Sequence, residues 1–190
     1  MKSIFRICGA LIYSILLIQC SSKMESEYSR ISNLLSISEN TYKSTYNYEI
    51  KLRACDDAIR VLNENLKKFE KDKDLYNIMK TTFSSWYEKK DSILNVKDEL
   101  NSKLVNLTDV SAKSKAMEYH PFSDIEKIKM IDDRRSVIGN KIQIIRVYDV
   151  RMRGALEGTN IFKFNVEVPG YISMENNDVF VIKDKIKIYD

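Results

Sequence analysis

The sequence predicts an α+β protein. An N-terminal helical region, read as an antiparallel helical hairpin or as three helices, precedes a small C-terminal antiparallel β-sheet or open barrel. Three observations carry this. Between Ser21 and His120 there is no glycine and no proline, whereas Pro121, Gly139, Gly154, Gly158, Pro169 and Gly170 all follow; a long stretch without breakers favours helix. Inside that stretch apolar residues recur at alternating steps of three and four, which draws one stripe along a helix. After Pro121 the period becomes two, the mark of a strand with one buried face.

The first residues stand apart from this scheme. Lys2 and Arg6 precede an apolar run from Ile7 to Ile18, and polar residues begin at Gln19. That is the charged, apolar, cleavage order of an export signal. The run is shorter than the roughly 20 residues a membrane-spanning helix needs. Residues 1–19 are therefore read as a signal that is removed, in preference to an uncleaved anchor.

In the mature chain Tyr28, Ile31, Leu35, Tyr42 and Tyr46 mark a first helix, weakened in its middle by Ser36, Ser38 and Asn40. It is expected either to end before the next helix or to run into it. Leu52, Cys55, Ile59, Leu62, Leu66 and Phe69 form the next stripe, and the polar run Glu70-Lys71-Asp72-Lys73-Asp74 breaks it. Asp72 or Asp74 is placed to cap the following helix by accepting its first free amides. That helix carries Tyr76, Met79, Phe83, Trp86, Ile93, Leu100, Leu104 and Leu107. Two stripes with a short polar break between them predict an antiparallel hairpin. The expected organisation is a signal at 1–19, a tether at 20–24, a helical region at 25–118 and a β-domain at 119–190.

Asp124 to Ile131 is expected as a short helix leading into the sheet. Lys141 to Met152 reads as a strand with a change of phase near Ile145, which a bulge or bend would explain. Phe162, Phe164, Val166 and Val168 alternate with polar residues, and Ile186 and Ile188 alternate with Lys185 and Lys187. Val179 to Ile182 is nearly continuous and is expected to be more buried. Gly154 to Thr159 and a second connector that begins at Pro169-Gly170 are too short for the crossover that parallel neighbours need, so the strands are antiparallel.

Two resemblances add to the periodicity. Ala58, Leu62, Leu66 and Phe69, followed by the polar turn, resemble one hairpin of a tetratricopeptide-like repeat, without its usual glycine and without a second copy. Leu17-Ile18-Gln19-Cys20 resembles a bacterial lipobox, with Leu17 in the preferred position and Ser21-Ser22-Lys23 as the polar tether. Gln19 stands where glycine, alanine or serine is usual, as in the relaxed versions of spirochaetes. The resemblance implies cleavage before Cys20, diacylglycerol on its sulfur and an acyl chain such as palmitate on its amine. It also implies a lipid-anchored protein of the bacterial cell envelope. Ser21 carries no acidic inner-membrane retention signal, which points to the outer membrane, at its periplasmic face or the cell surface.

Composition narrows the rest. Removing Lys2 and Arg6 lowers the formal net charge from +4 to +2, and residues 119–190 hold 12 basic and 11 acidic side chains. Arg146, Arg151, Arg153, Lys163, Lys185 and Lys187 could line a basic face of a small barrel. Near-neutrality argues against a nucleic-acid partner. Cys8 leaves with the signal, so Cys55 is a lone thiol without a disulfide partner and is expected to be buried. Trp86 lies on the helical stripe and is expected in the core.

His120, the single histidine, is read as a hinge or surface residue, and Asp132-Asp133-Arg134-Arg135 as a solvated loop or helix end. No phosphate loop, zinc-helix motif or nucleophile elbow occurs, so no catalytic residue, metal or cofactor is assigned. The expected function is non-enzymatic binding or scaffolding at the envelope. The membrane is held through the lipid, and the partner is another envelope protein, peptidoglycan or a host molecule. The competing class is a lipid-anchored hydrolase with a site of unfamiliar pattern.

Overall fold

A computed structural model describes the backbone of residues 2–154 and 160–189, with side chains from Lys23 onward. Leu17, Gln19 and Cys20 therefore lie outside the described side chains, and Ala155 to Thr159 of the connector that begins at Gly154 lies outside the described residues. The chain folds as α1 (Lys2–Lys43), α2 (Tyr48–Asn65), a 3₁₀ turn (Leu66–Phe69), α3 (Lys73–Tyr119), β1 (Ser123–Ile138), β2 (Lys141–Gly154), β3 (Ile161–Ser173), β4 (Asp178–Val181), a second 3₁₀ turn (Lys183–Lys185) and β5 (Lys187–Tyr189). The α+β order expected from the sequence is the order observed. Two compact units result: a helical unit of Met1–Thr45 and Glu49–Ser92, and a β unit of Tyr46–Tyr48 and Ile93–Asp190.

In the helical unit, Ser36 and Thr41 do not break α1, because each hydroxyl donates to the carbonyl four residues earlier, at 3.0 Å in both cases. Such back-bonding satisfies the group without ending the helix. The helix ends at Lys43, and residues 44–47 separate it from α2. The core is apolar: Ile31, Ala54, Cys55, Ala58, Leu62, Phe69, Met79 and Trp86 are buried. Tyr28 meets Phe69 edge to face, and Tyr42 meets Trp86 in the same way. Asp72 caps α3 as expected, its Oδ1 accepting from the Leu75 amide at 3.2 Å.

In the β unit, β1 to β4 form an open antiparallel meander, and β5 pairs with the middle of β3. Ala112 and Ala116 of α3 lie against Tyr148, Val150, Met152, Phe164, Val166 and Val168; their short side chains let the helix approach the sheet closely. Leu107 is not on this face. It is 44% exposed, and Thr108 takes the buried position instead.

Asp124 to Ile131 is a strand, not a helix. Register shifts leave Glu126 and Ile131 as extra residues in β1, so Ile125 and Ile128 both face the core opposite Met152 and Val150. A bulge changes the phase of a strand by one residue, and the resulting three-residue spacing imitates a helix. The bulge expected near Ile145 is absent, since β2 pairs with β3 without a shift. The apparent change of phase arises because an arginine, Arg146, occupies an inward position.

Pro169-Gly170 lies inside β3 and not in the connector. The Pro169 carbonyl accepts from the Ile182 amide at 2.9 Å, where β4 ends, so the missing donor of Pro169 faces a place where no ladder bond is needed. A Cβ on Gly170 would stand 2.5 Å from the Phe180 carbonyl oxygen, which only glycine avoids. β4 is a short edge strand whose Phe180 is 40% exposed, so Val179 to Ile182 is less buried than its composition predicts. The β1–β2 turn has Gly139 at φ +58° in a two-residue loop, the backbone that hairpins favour.

Candidate functional site

The polar groups drawn together inside the β unit come from three elements. Arg146 on β2 is only 4% exposed, and its inward position is fixed by the alternation of Ile144, Tyr148, Val150 and Met152. Directly opposite it on β1 is Asp133. Arg146 donates to Asp133 Oδ2 from Nη2 at 2.9 Å and from Nε at 3.1 Å. Arg135, two residues along and on the same side, donates to Asp133 Oδ1 at 2.9 Å and Oδ2 at 3.0 Å. Its remaining Nη1 donates to Asn101 Oδ1 of α3 at 2.8 Å. Above the arginine, Tyr148 donates its hydroxyl to Thr108 Oγ1 at 2.7 Å, and Thr108 donates in turn to the Leu104 carbonyl at 2.7 Å.

The electrostatics follow from this geometry. The Arg135 hydrogen bonds, with those of Arg146, hold the Asp133 carboxyl below the usual carboxylate range against the opposing effect of burial. Burial pushes the Tyr148 phenol up. An ionised carboxylate held between two guanidiniums is a poor proton acceptor, and a buried neutral phenol a poor nucleophile. What the cluster does well is tie β1, β2 and α3 together. The run Asp132-Asp133-Arg134-Arg135 is thus part of a strand and not a loop or helix end. Its other pair, Asp132 and Arg134, lies on the opposite face, with Arg134 also reaching Glu167 at 3.2 Å.

The remaining residues singled out by sequence are accounted for. The Cys55 thiol is buried, and desolvation pushes it up, which leaves it a packing residue and not a nucleophile. Trp86 is in the core. His120 follows α3, with its ring stacked on Phe162 at 4.1 Å and flanked by Tyr119 and Phe164. Of the six candidate basic residues, Arg146 turns inward, while Arg151 and Lys163 share the opposite face of the sheet. Thr108 and Tyr148 were not singled out, and the available signal was one arginine breaking an apolar alternation.

In the helical unit, Lys23, Met24, Glu27, Lys68 and Phe69 help to line a cleft of about 570 Å³. Glu27 there is held down to about 2 by its hydrogen bonds from Arg30 and Lys68. Among the described residues, no group of three His, Cys, Asp or Glu side chains is placed to hold a metal ion, and no helix is long and apolar enough to cross a membrane. No protein-family model matches the chain, and neither the curated proteins nor the solved structures contain a match.

Proposed function

We propose that the protein is a lipid-anchored lipoprotein of the bacterial cell envelope that works as a non-enzymatic binding or scaffolding module. The observation that carries this reading is the order of the first residues: Lys2 and Arg6, the apolar run to Ile18, then Leu17-Ile18-Gln19-Cys20 and Ser21-Ser22-Lys23. A cut before Cys20 frees the amine of a residue whose sulfur can carry diacylglycerol, so one residue can hold acyl chains through both groups. Each buried methylene contributes about 0.8 kcal/mol, so two or more chains give firm anchoring where one is marginal. The expected destination is the outer membrane, with an envelope protein, peptidoglycan or a host molecule as partner.

The non-enzymatic half of the proposal is supported by what the ionisable groups are engaged in. Asp133 and Arg135 hold the sheet to α3, and Cys55 packs the helical core. An alanine scan of these residues for activity would report unfolding as readily as chemistry. The test is therefore placed at the anchor. Cells expressing the wild type or Cys20→Ala are grown with labelled palmitate and fractionated. The wild type should carry label and sediment with membranes, and the variant should carry none. A wild type that is unlabelled and soluble overturns the proposal.

A further inference from the structure

We propose that the sheet face turned away from α3 binds a phosphate-bearing ligand, with a diphosphate group as the best match, through Lys127, Arg151, Lys163 and Arg153. The observation is one of register. Lys127 of β1 lies directly opposite Arg151 of β2, and Arg151 directly opposite Lys163 of β3. Residues opposite one another share a face, so three cations stand in one cross-strand row. With neighbouring strands about 4.8 Å apart, the row spans about 10 Å. Arg153 projects from the same face two residues along β2.

Like charges placed directly opposite one another destabilise a sheet, so the row is unfavourable as packing and needs another reason. Acidic neighbours do not cancel it. Glu126, the extra residue of the first bulge, reaches back to Arg151 Nε at 2.8 Å and also pairs with Arg153. Asp124 lies opposite Arg153 and Asp149 opposite Lys129. Among the described residues, Lys127 and Lys163 have no ion-pair partner. Two free ammoniums thus flank a guanidinium that has one carboxylate beside it, and whose buried Nε makes no hydrogen bond. Near-neutrality of residues 119–190 conceals this, because composition averages over charges that the register sorts by face. A single phosphate carries about −1.5 to −2 at neutral pH, and a diphosphate brings more charge to a row of three cations. Guanidinium forks and ammonium donors are the groups that recognise such oxyanions.

The test uses the full-length chain in a neutral detergent, titrated calorimetrically with pyrophosphate, inorganic phosphate and glycerol 3-phosphate. The last two separate free phosphate from a lipid headgroup as the source. Pyrophosphate should bind saturably, more weakly as salt rises, and more tightly than either monophosphate. Lys127→Glu with Lys163→Glu should weaken it by about tenfold or more, while Lys183→Glu with Lys185→Glu, an equal charge change at exposed positions elsewhere, should not. Lys163→Glu alone should also raise the melting temperature by about 1–3 °C by relieving the like-charge row, which shows that lost binding is not lost fold. The proposal is overturned by absent saturation, by equal loss in Lys183→Glu with Lys185→Glu, or by a Lys127→Glu with Lys163→Glu double variant that binds like the wild type. Tighter binding of a short oligonucleotide, lost in the same double variant, overturns the assignment to a small phosphate ligand.

Discussion

In the helical unit the buried side chains are mainly apolar, among them Ile31, Cys55, Ala58, Leu62, Phe69, Met79 and Trp86, with the uncharged Ser38 and Asn65 beside them, while ion pairs such as Glu27 with Arg30 and Lys68 or Asp56 with Lys90 stay at the surface. The β unit buries Arg146, Tyr148 and Thr108 beside Val150, Val166 and Val168. The difference lies in what specifies the arrangement. A helix with an apolar stripe finds its partner by area, and several nearby packings bury similar amounts. Strand β1 has little such area, because Ile125, Ile128 and Asp133 are its only half-buried residues after Ser123. A strand with two polar sides is weakly specified in register. Our hypothesis is that Asp133 opposite Arg146 supplies what apolar burial does not, since a slip of one residue would leave a guanidinium in the core without its carboxylate.

The comparison is broken most strongly in the helical unit. Phe69, at the end of the 3₁₀ turn after α2, is almost wholly buried against Tyr28, and Phe69→Ala should cost about 4 kcal/mol through lost transfer energy and the cavity left behind. Trp86, the single tryptophan, lies in the same unit, so urea unfolding followed by its fluorescence reads the effect. A loss below about 1 kcal/mol would mean that the unit collapses around the gap and that area is not what holds it.

Asp133→Ala is the sharper test. Removing one partner of a buried pair costs about 3–5 kcal/mol, and because the Asp133 side chain keeps 20% exposure the low end, about 3 kcal/mol, is expected. Replacing both partners, as in Asp133→Val with Arg146→Met, should recover most of that loss. If register is what the pair supplies, the double variant will be stable yet show more than one set of β1 amide resonances. A single set would sink the register hypothesis. The pH dependence has a definite sign. The folded carboxyl lies below its unfolded value of about 3.9, held there by Arg135 and then Arg146. Its stabilisation is present above about pH 4 and is lost as pH falls through the lowered folded value. Asp133→Asn should flatten that part of the acid-unfolding curve.

The same contrast explains what the sequence made legible. The helices could be read because their period reports burial directly, from Leu62 to Phe69 and from Met79 to Trp86. The Asp72 cap followed from a carboxylate placed just before a helix. The β unit defeated pattern reading wherever a polar residue took an inward place. Arg146 looked like a bend in β2, Thr108 was passed over for Leu107, and two bulges gave β1 the spacing of a helix. Polar residues carry no signal of whether a partner exists across a sheet, and that partner is fixed by register, which one strand alone does not encode. The cation row of Lys127, Arg151 and Lys163 was invisible for the same reason.

The smallest effect separates two carboxylates within the helical unit. Asp72 accepts from a backbone amide that the helix leaves without a partner, and Glu27 accepts from two side chains that water could serve equally well. Asp72→Ala should therefore lower stability by about 1 kcal/mol, little altered by salt. Glu27→Gln, although it removes more contacts and a carboxyl held down to about 2, should move the urea midpoint less than Asp72→Ala does, with the remainder vanishing in high salt. The ranking runs against the number of ion pairs in each site. A Glu27→Gln loss equal to or larger than that of Asp72→Ala would show that the surface pairs beside the cleft hold α1 to the turn before α3, and the helical unit would then depend on placed charge as the β unit does.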